Sequence, residues 1–124
     1  MTIIEAINIT DSFKFNTFSP ENKIMWLSKL DSMIKRHVID AYLGGEAIVF
    51  TQYTVDTPLD TKLLVESPHD GIYQKWLEAQ IDLANGEYDR YNASITLFND
   101  EYENFVKKYG KMHRHKNGGK RFRF

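Results

Sequence analysis

The chain has 124 residues, with 16 Lys and Arg against 17 Asp and Glu, and no cysteine. That length fits one domain burying roughly two-thirds of its unfolded surface, and the missing thiols exclude disulfides, cysteine nucleophiles and thiolate metal sites. The near-neutral total hides a division: residues 1–106 hold eight cations and all seventeen acids, a balance of −9, whereas residues 107–124 hold eight cations and no acid, a balance of +8.

The first residues have no basic start followed by a long apolar run, so no signal peptide is expected. No stretch reaches the roughly eighteen apolar residues of a membrane helix. Residues 3–9 are a candidate short helix. At "SPEN", Ser19 is a cap, Pro20 fits the first helical position and Glu21 suits the positive first turn. Helical spacing then runs over residues 20–41 through Ile24, Leu27, Leu30, Ile34 and Val38, with Trp26 and Met33 widening the stripe. Leu43-Gly44-Gly45 ends it.

Residues 46–66 change character. "EAIVFTQYTV" is rich in β-branched and aromatic residues, "TKLLVE" is a second short apolar run, and "DTPLD" between them reads as a turn. The expectation is a small β-hairpin or extended flap that leans on helices or on a neighbouring subunit, because two strands alone are marginal. "SPHD" at Ser67 repeats the helix-start pattern, with Asp70 close to a capping box. Helical spacing returns at Ile72, Tyr73, Trp76, Leu77, Leu83 and Ala84, and again at Tyr88, Tyr91, Ile95, Phe98, Tyr102, Phe105 and Tyr109. Asn85-Gly86 either ends one helix and turns the chain, or sits inside one long bent helix at about 1 kcal/mol for the glycine; the unbroken phase leans to the second. The expected fold is mainly α, a bundle of three to four helices with the β-prone flap at 46–66. Residues 1–109 form the domain and residues 110–124 a flexible basic, extended C-terminal tail, regular structure ending at Gly110.

Little in the chain points to chemistry. "HRH" sets His113 and His115 two apart, but further ligands would come from afar into a cationic neighbourhood that repels a metal ion. His37 reads as an ordinary helix residue and His69 as one in a first helical turn. Glu87, Asp89, Asp100, Glu101 and Glu103 recur at helical spacing. Such acids can do acid–base work or hold a hard cation, yet a solvated helix face accounts for them. No nucleophile elbow, phosphate loop or dinucleotide turn occurs. No enzyme, cofactor or metal is expected.

The tail admits more than one reading. Phe122 and Phe124 interleaved with Lys120, Arg121 and Arg123 suit phosphate binding and base stacking. The same alternation of charge and ring suits a strand adding to another protein's sheet edge. The −9 body opposes a duplex lying on it.

At "NKIMWLSKLD" and at "LDTKLLVESPHDGIYQKWLEAQIDLANGEYDRYNASITLFNDEYENFVKKY" the sequence resembles small neck proteins of tailed bacteriophages and prophages of Firmicutes, the head–tail connectors also called adaptors or head-completion proteins. The matching positions are Trp26, Leu27, Leu30 and Asp31; Leu63, Leu64, Val65, Pro68, Asp70 and Tyr73; Leu77, Glu78, Ala79, Ile81 and Asp82; and Tyr91, Asn92, Phe98, Asn99 and Tyr102. The likeness covers most of residues 1–109, and its motifs are structural rather than catalytic. It implies a mainly helical subunit assembling as a ring of about twelve copies beneath the portal protein, with the next neck or tail-terminator component on the far side. DNA passes through the hole without sequence-specific binding. The location implied is the neck of a virion made in a bacterial cytoplasm, with no membrane involved. The family has no universal tail like "KMHRHKNGGKRFRF", so that role stays open. Two expectations follow: Lys120, Arg121, Phe122, Arg123 and Phe124 clasp the portal, and Tyr88, Tyr91 and Tyr102 contribute to subunit contacts. The alternative is a small nucleic-acid-binding accessory protein with a basic C-terminal arm.

Overall fold

A computed structural model describes residues 1–116 of the chain. Among the described residues there are four α-helices: α1 (Ile3–Phe13), α2 (Pro20–His37), α3 (Ile72–Ala84) and α4 (Tyr88–Met112). Helix α3 is central, packing against α1, α2 and most extensively α4.

Each helix begins for a local reason. Thr2 caps α1 in a reciprocal capping box, with Glu5 N–H donating to Thr2 Oγ1 at 3.2 Å and Thr2 N–H to Glu5 Oε1 at 2.9 Å. The helix buries Ile3, Ala6, Ile7 and Thr10, an i, i+3, i+4, i+7 stripe. Thr2→Ala removes one of these bonds and is expected to cost about 1 kcal/mol, read as a lowered thermal midpoint; an unchanged midpoint would show that the box contributes nothing. Ser19 caps α2 as its sequence foretells, accepting from Asn22 N–H at 3.3 Å, with Pro20 in the first turn and Lys35, Arg36 and His37 at the negative end. The helix stops at His37, and the predicted continuation to residue 41 is a 3₁₀ turn at Ile39–Ala41. Gly44 then adopts a left-handed φ of 84°. Gly45 is buried against the Ile39 carbonyl so closely that any Cβ would collide with it.

Two boundaries differ from expectation. Residues 67–71 form successive turns, with His69 N–H on Glu66 O and Ile72 N–H on His69 O, so α3 starts at Ile72 with Gly71 before it rather than at Ser67. Asn85-Gly86 is a true break: Gly86 has φ 73° and α4 folds back along α3. The four-residue step from Ala84 to Tyr88 kept the apolar phase running through a reversal. Helix α4 also passes through Gly110 to Met112. A Cβ at position 110 would stand 2.8 Å from the Tyr42 hydroxyl, so glycine lets that tyrosine rest on the helix.

The predicted β-hairpin is absent: no strand occurs among the described residues, which have only isolated bridges pairing Thr2 with Lys62 and Tyr42 with His115. Residues 46–66 form a strap whose internal bonds are confined to local turns and which is otherwise bonded to its surroundings. Ile3 N–H donates to Thr61 O, Ile4 N–H to Leu59 O and Leu63 N–H to Met1 O, each within 3.0 Å, while Tyr53 N–H donates to Ser28 Oγ at 2.9 Å. The predicted turn is real, closed by Thr57 N–H on Thr54 O and Thr61 N–H on Pro58 O.

A buried ion pair ties three helices. Asp82 of α3, 2 % exposed, accepts from Lys14 Nζ at 2.8 and 2.9 Å and from Ser94 Oγ of α4 at 2.6 Å; Lys14 caps the end of α1. No helix among the described residues is long and apolar enough to cross a membrane.

Candidate functional site

The most concentrated chemistry in the interior is a carboxylate with three donors. Asp31 of α2 is fully buried. Its Oδ2 accepts from Tyr53 Oη at 2.6 Å and Leu64 N–H at 3.1 Å, and its Oδ1 from Tyr73 Oη at 2.6 Å. Tyr73 Oη in turn accepts from Val65 N–H at 2.8 Å. Burial pushes the Asp31 carboxyl up from the ordinary aspartate range, while the Tyr53 and Tyr73 hydroxyls and the Leu64 N–H pull it down; the net shift is upward. Burial and the neighbouring carboxylate raise both tyrosines far above their usual range. These hydroxyls are therefore fixed donors, not acids. With each of its polar groups engaged, the node holds the strap onto α2 and α3. Its signal in the sequence is an acid inside the stripe, four residues after Leu27 and three before Ile34, which pattern counting passes over.

Held this way, the strap presents an apolar outer side. Val49 is 84 % and Val55 66 % exposed, with Ile48 and Leu59 also exposed. The backbone N–H and C=O groups of residues 49–52 make no hydrogen bond among the described residues. A shallow hollow of about 290 Å³ lies along this stretch, lined by Phe50, Tyr53 and Leu64 among others.

A second apolar feature follows α4. Trp76, Phe98, Tyr102, Phe105 and Tyr109 contact one another in sequence with ring centroids 5.1–6.3 Å apart, Phe98 and Tyr102 stacked and the other pairs tilted. His113 continues the stack at 3.8 Å from Tyr109, nearly parallel. The chain then returns to the 3₁₀ turns: Leu43 N–H donates to Arg114 O at 2.7 Å, Lys116 N–H to Ala41 O at 3.0 Å, and His115 meets the Tyr42 ring edge-on. His113 and His115 thus flank Tyr42 as packing groups. No group of three or more potential ligands gathers around a metal position among the described residues. His37 is exposed at the end of α2, and His69 packs near Phe105.

The tyrosines expected at subunit contacts separate. Tyr88 is 65 % exposed, Tyr91 is half-buried, and Tyr102 packs against the core between Phe98 and Phe105, where burial raises its hydroxyl. Of the helix acids, Asp89, Asp100 and Glu103 are exposed and Glu87 pairs with Arg90 at 3.1 Å, an arrangement without convergence. Lys120, Arg121, Phe122, Arg123 and Phe124 lie outside the described residues.

Between the strap and the last turns of α4 runs a cleft of about 480 Å³, with apolar walls from Ile39, Ile48, Leu64, Phe105, Tyr109 and Met112. The larger hollow between residues 13–17 and 85–90 is open and mostly polar. No protein-family model, characterised protein or solved structure matches the chain.

Proposed function

We propose that this chain is a structural virion protein, a head–tail connector that assembles as a ring beneath a portal, joins capsid to tail and lets DNA pass. The observation that carries the reading is the strap: a segment tied down through Asp31 at Tyr53 and Leu64, with open backbone at residues 49–52 and with Ile48, Val49, Val55 and Leu59 exposed on its outer side. Such a surface suits contact with other proteins and performs no reaction. In the ring, the strap and the exposed Tyr88 meet a neighbouring subunit or the portal, and the −9 balance of residues 1–106 denies passing DNA phosphate-binding sites. Residues 120–124 clasp the portal.

Electron microscopy of particles carrying the protein should place a ring at the head–tail junction, and its absence there would end the reading. Deleting residues 117–124 keeps the anchored return at 113–116 and should abolish portal capture in a pull-down; undiminished capture would remove the clasp.

The +8 balance of the last eighteen residues favours one second reading, a nucleic-acid-binding accessory protein with a basic arm. On that reading purified protein binds DNA at low salt, releases it steeply as salt rises and loses it with the tail, and no junction ring is seen.

A further inference from the structure

The cleft between the strap and α4 has apolar walls and no occupant among the described residues. At its Ile39–Ile48 wall the described chain ends: Lys116 N–H is bonded to Ala41 O, and Lys116 Nζ stands 3.8 Å from Glu46. Eight residues follow, and the only apolar side chains among them are Phe122 and Phe124. Gly118 and Gly119 sit between the anchor and the aromatics, where they permit a reversal of direction. At about 3.3 Å per residue, the six steps from Lys116 to Phe122 span up to roughly 20 Å. In an extended segment residues i and i+2 share a face, so the alternation of ring and cation in the sequence allows both phenylalanines to enter one groove with the arginines left outside. The cleft volume lies in the range of sites for small ligands, about 300–1,000 Å³, and two aromatic rings are large apolar payloads at low conformational cost. Glu66 stands on the rim, as does Lys108; cations facing outward meet the acid or water without entering the apolar interior.

We infer that the cleft is a docking groove for this chain's own C-terminal segment, with Phe122 and Phe124 as the anchors. The groove keeps two exposed rings out of water in the free subunit. A partner that takes the same segment competes with it. The inference does not rest on the connector reading, since groove and segment belong to one chain: failed docking leaves the ring untouched, and a missing ring leaves the docking untouched.

The absence of native cysteine makes the test direct. The full chain carrying Lys120→Cys with a nitroxide label, and isotope-labelled Ile and Met methyls, is examined by NMR. The signals of Ile39, Ile48 and Met112 should be broadened away; all three should return with Phe122→Ala/Phe124→Ala, and those of Ile39 and Ile48 with Met112→Asp, a substitution at an exposed site that leaves the core intact. Mixing spin-labelled chain without isotopes with isotope-labelled chain without spin label should produce no broadening. Sharp cleft signals in the first sample would overturn the inference. So would broadening that survives loss of both phenylalanines, which assigns the approach to charge. Broadening confined to the mixture would assign the occupant to a second copy.

Discussion

Asp31→Ala should destabilise the chain by about 3–5 kcal/mol, the cost of removing the acceptor from a buried polar network. The substitution strands three donors at once, Tyr53 Oη, Tyr73 Oη and Leu64 N–H. Tyr73 is fully buried and cannot turn to water. Urea denaturation followed by tryptophan emission measures the loss, and amide exchange at Leu64 and Val65 locates it. A loss below about 1 kcal/mol would mean that the node is incidental. Asp31→Asn keeps one acceptor oxygen and should lose less. The pair also separates in pH. The folded carboxyl titrates above its ordinary value of 3.8, so between that value and the raised one the folded state holds more protons than the unfolded. Stability of the parent chain therefore falls as pH rises through this window and levels off above it. The Asn variant has no such slope, and the difference between the two curves isolates Asp31 from every other acid.

The second large effect is Lys14→Met, expected at about 3–5 kcal/mol because it leaves the Asp82 carboxylate buried with only Ser94 Oγ. Asp82→Leu should cost less, since the Lys14 side chain is 22 % exposed and can turn to solvent. The double variant should recover much of the Lys14→Met loss, as a buried ion pair replaced by apolar groups of similar volume is often neutral. A double-mutant cycle by chemical denaturation reads all three values. Strict additivity of the single losses would show that the two side chains do not act as a pair.

Where the sequence carried local physics, its elements were legible. Ser19, Pro20 and Glu21 mark the start of α2, and Gly44 marks a left-handed turn after it. The same signature at Ser67 led astray because turns at 67–71 intervene before Ile72. The strap was misread for a different cause. Ile48, Val49 and Val55 have high strand propensity, but that propensity reflects fit on a pleated, half-buried surface, and here the strap's partners are helices and a chain terminus. Of its inward residues, Tyr53 bonds Asp31 from 22 positions away, Leu63 N–H bonds the Met1 carbonyl, and Val65 N–H bonds a Tyr73 hydroxyl that is itself set by Asp31, 42 positions from it. No window of a few residues contains that information. Exposure of Tyr88 and partial burial of Tyr102 were equally invisible, since both keep the same helical phase.

The order of events in folding follows from how the strap is fastened. The Val65 bond depends on α2 and α3 having met, because the Tyr73 hydroxyl that accepts it is itself set by Asp31. Loop closure across these separations costs entropy before any contact is gained. A strap laid down after that contact contributes more to how slowly the native chain opens than to how fast it forms, so Asp31→Ala is expected to raise the unfolding rate more than it lowers the folding rate in stopped-flow measurements.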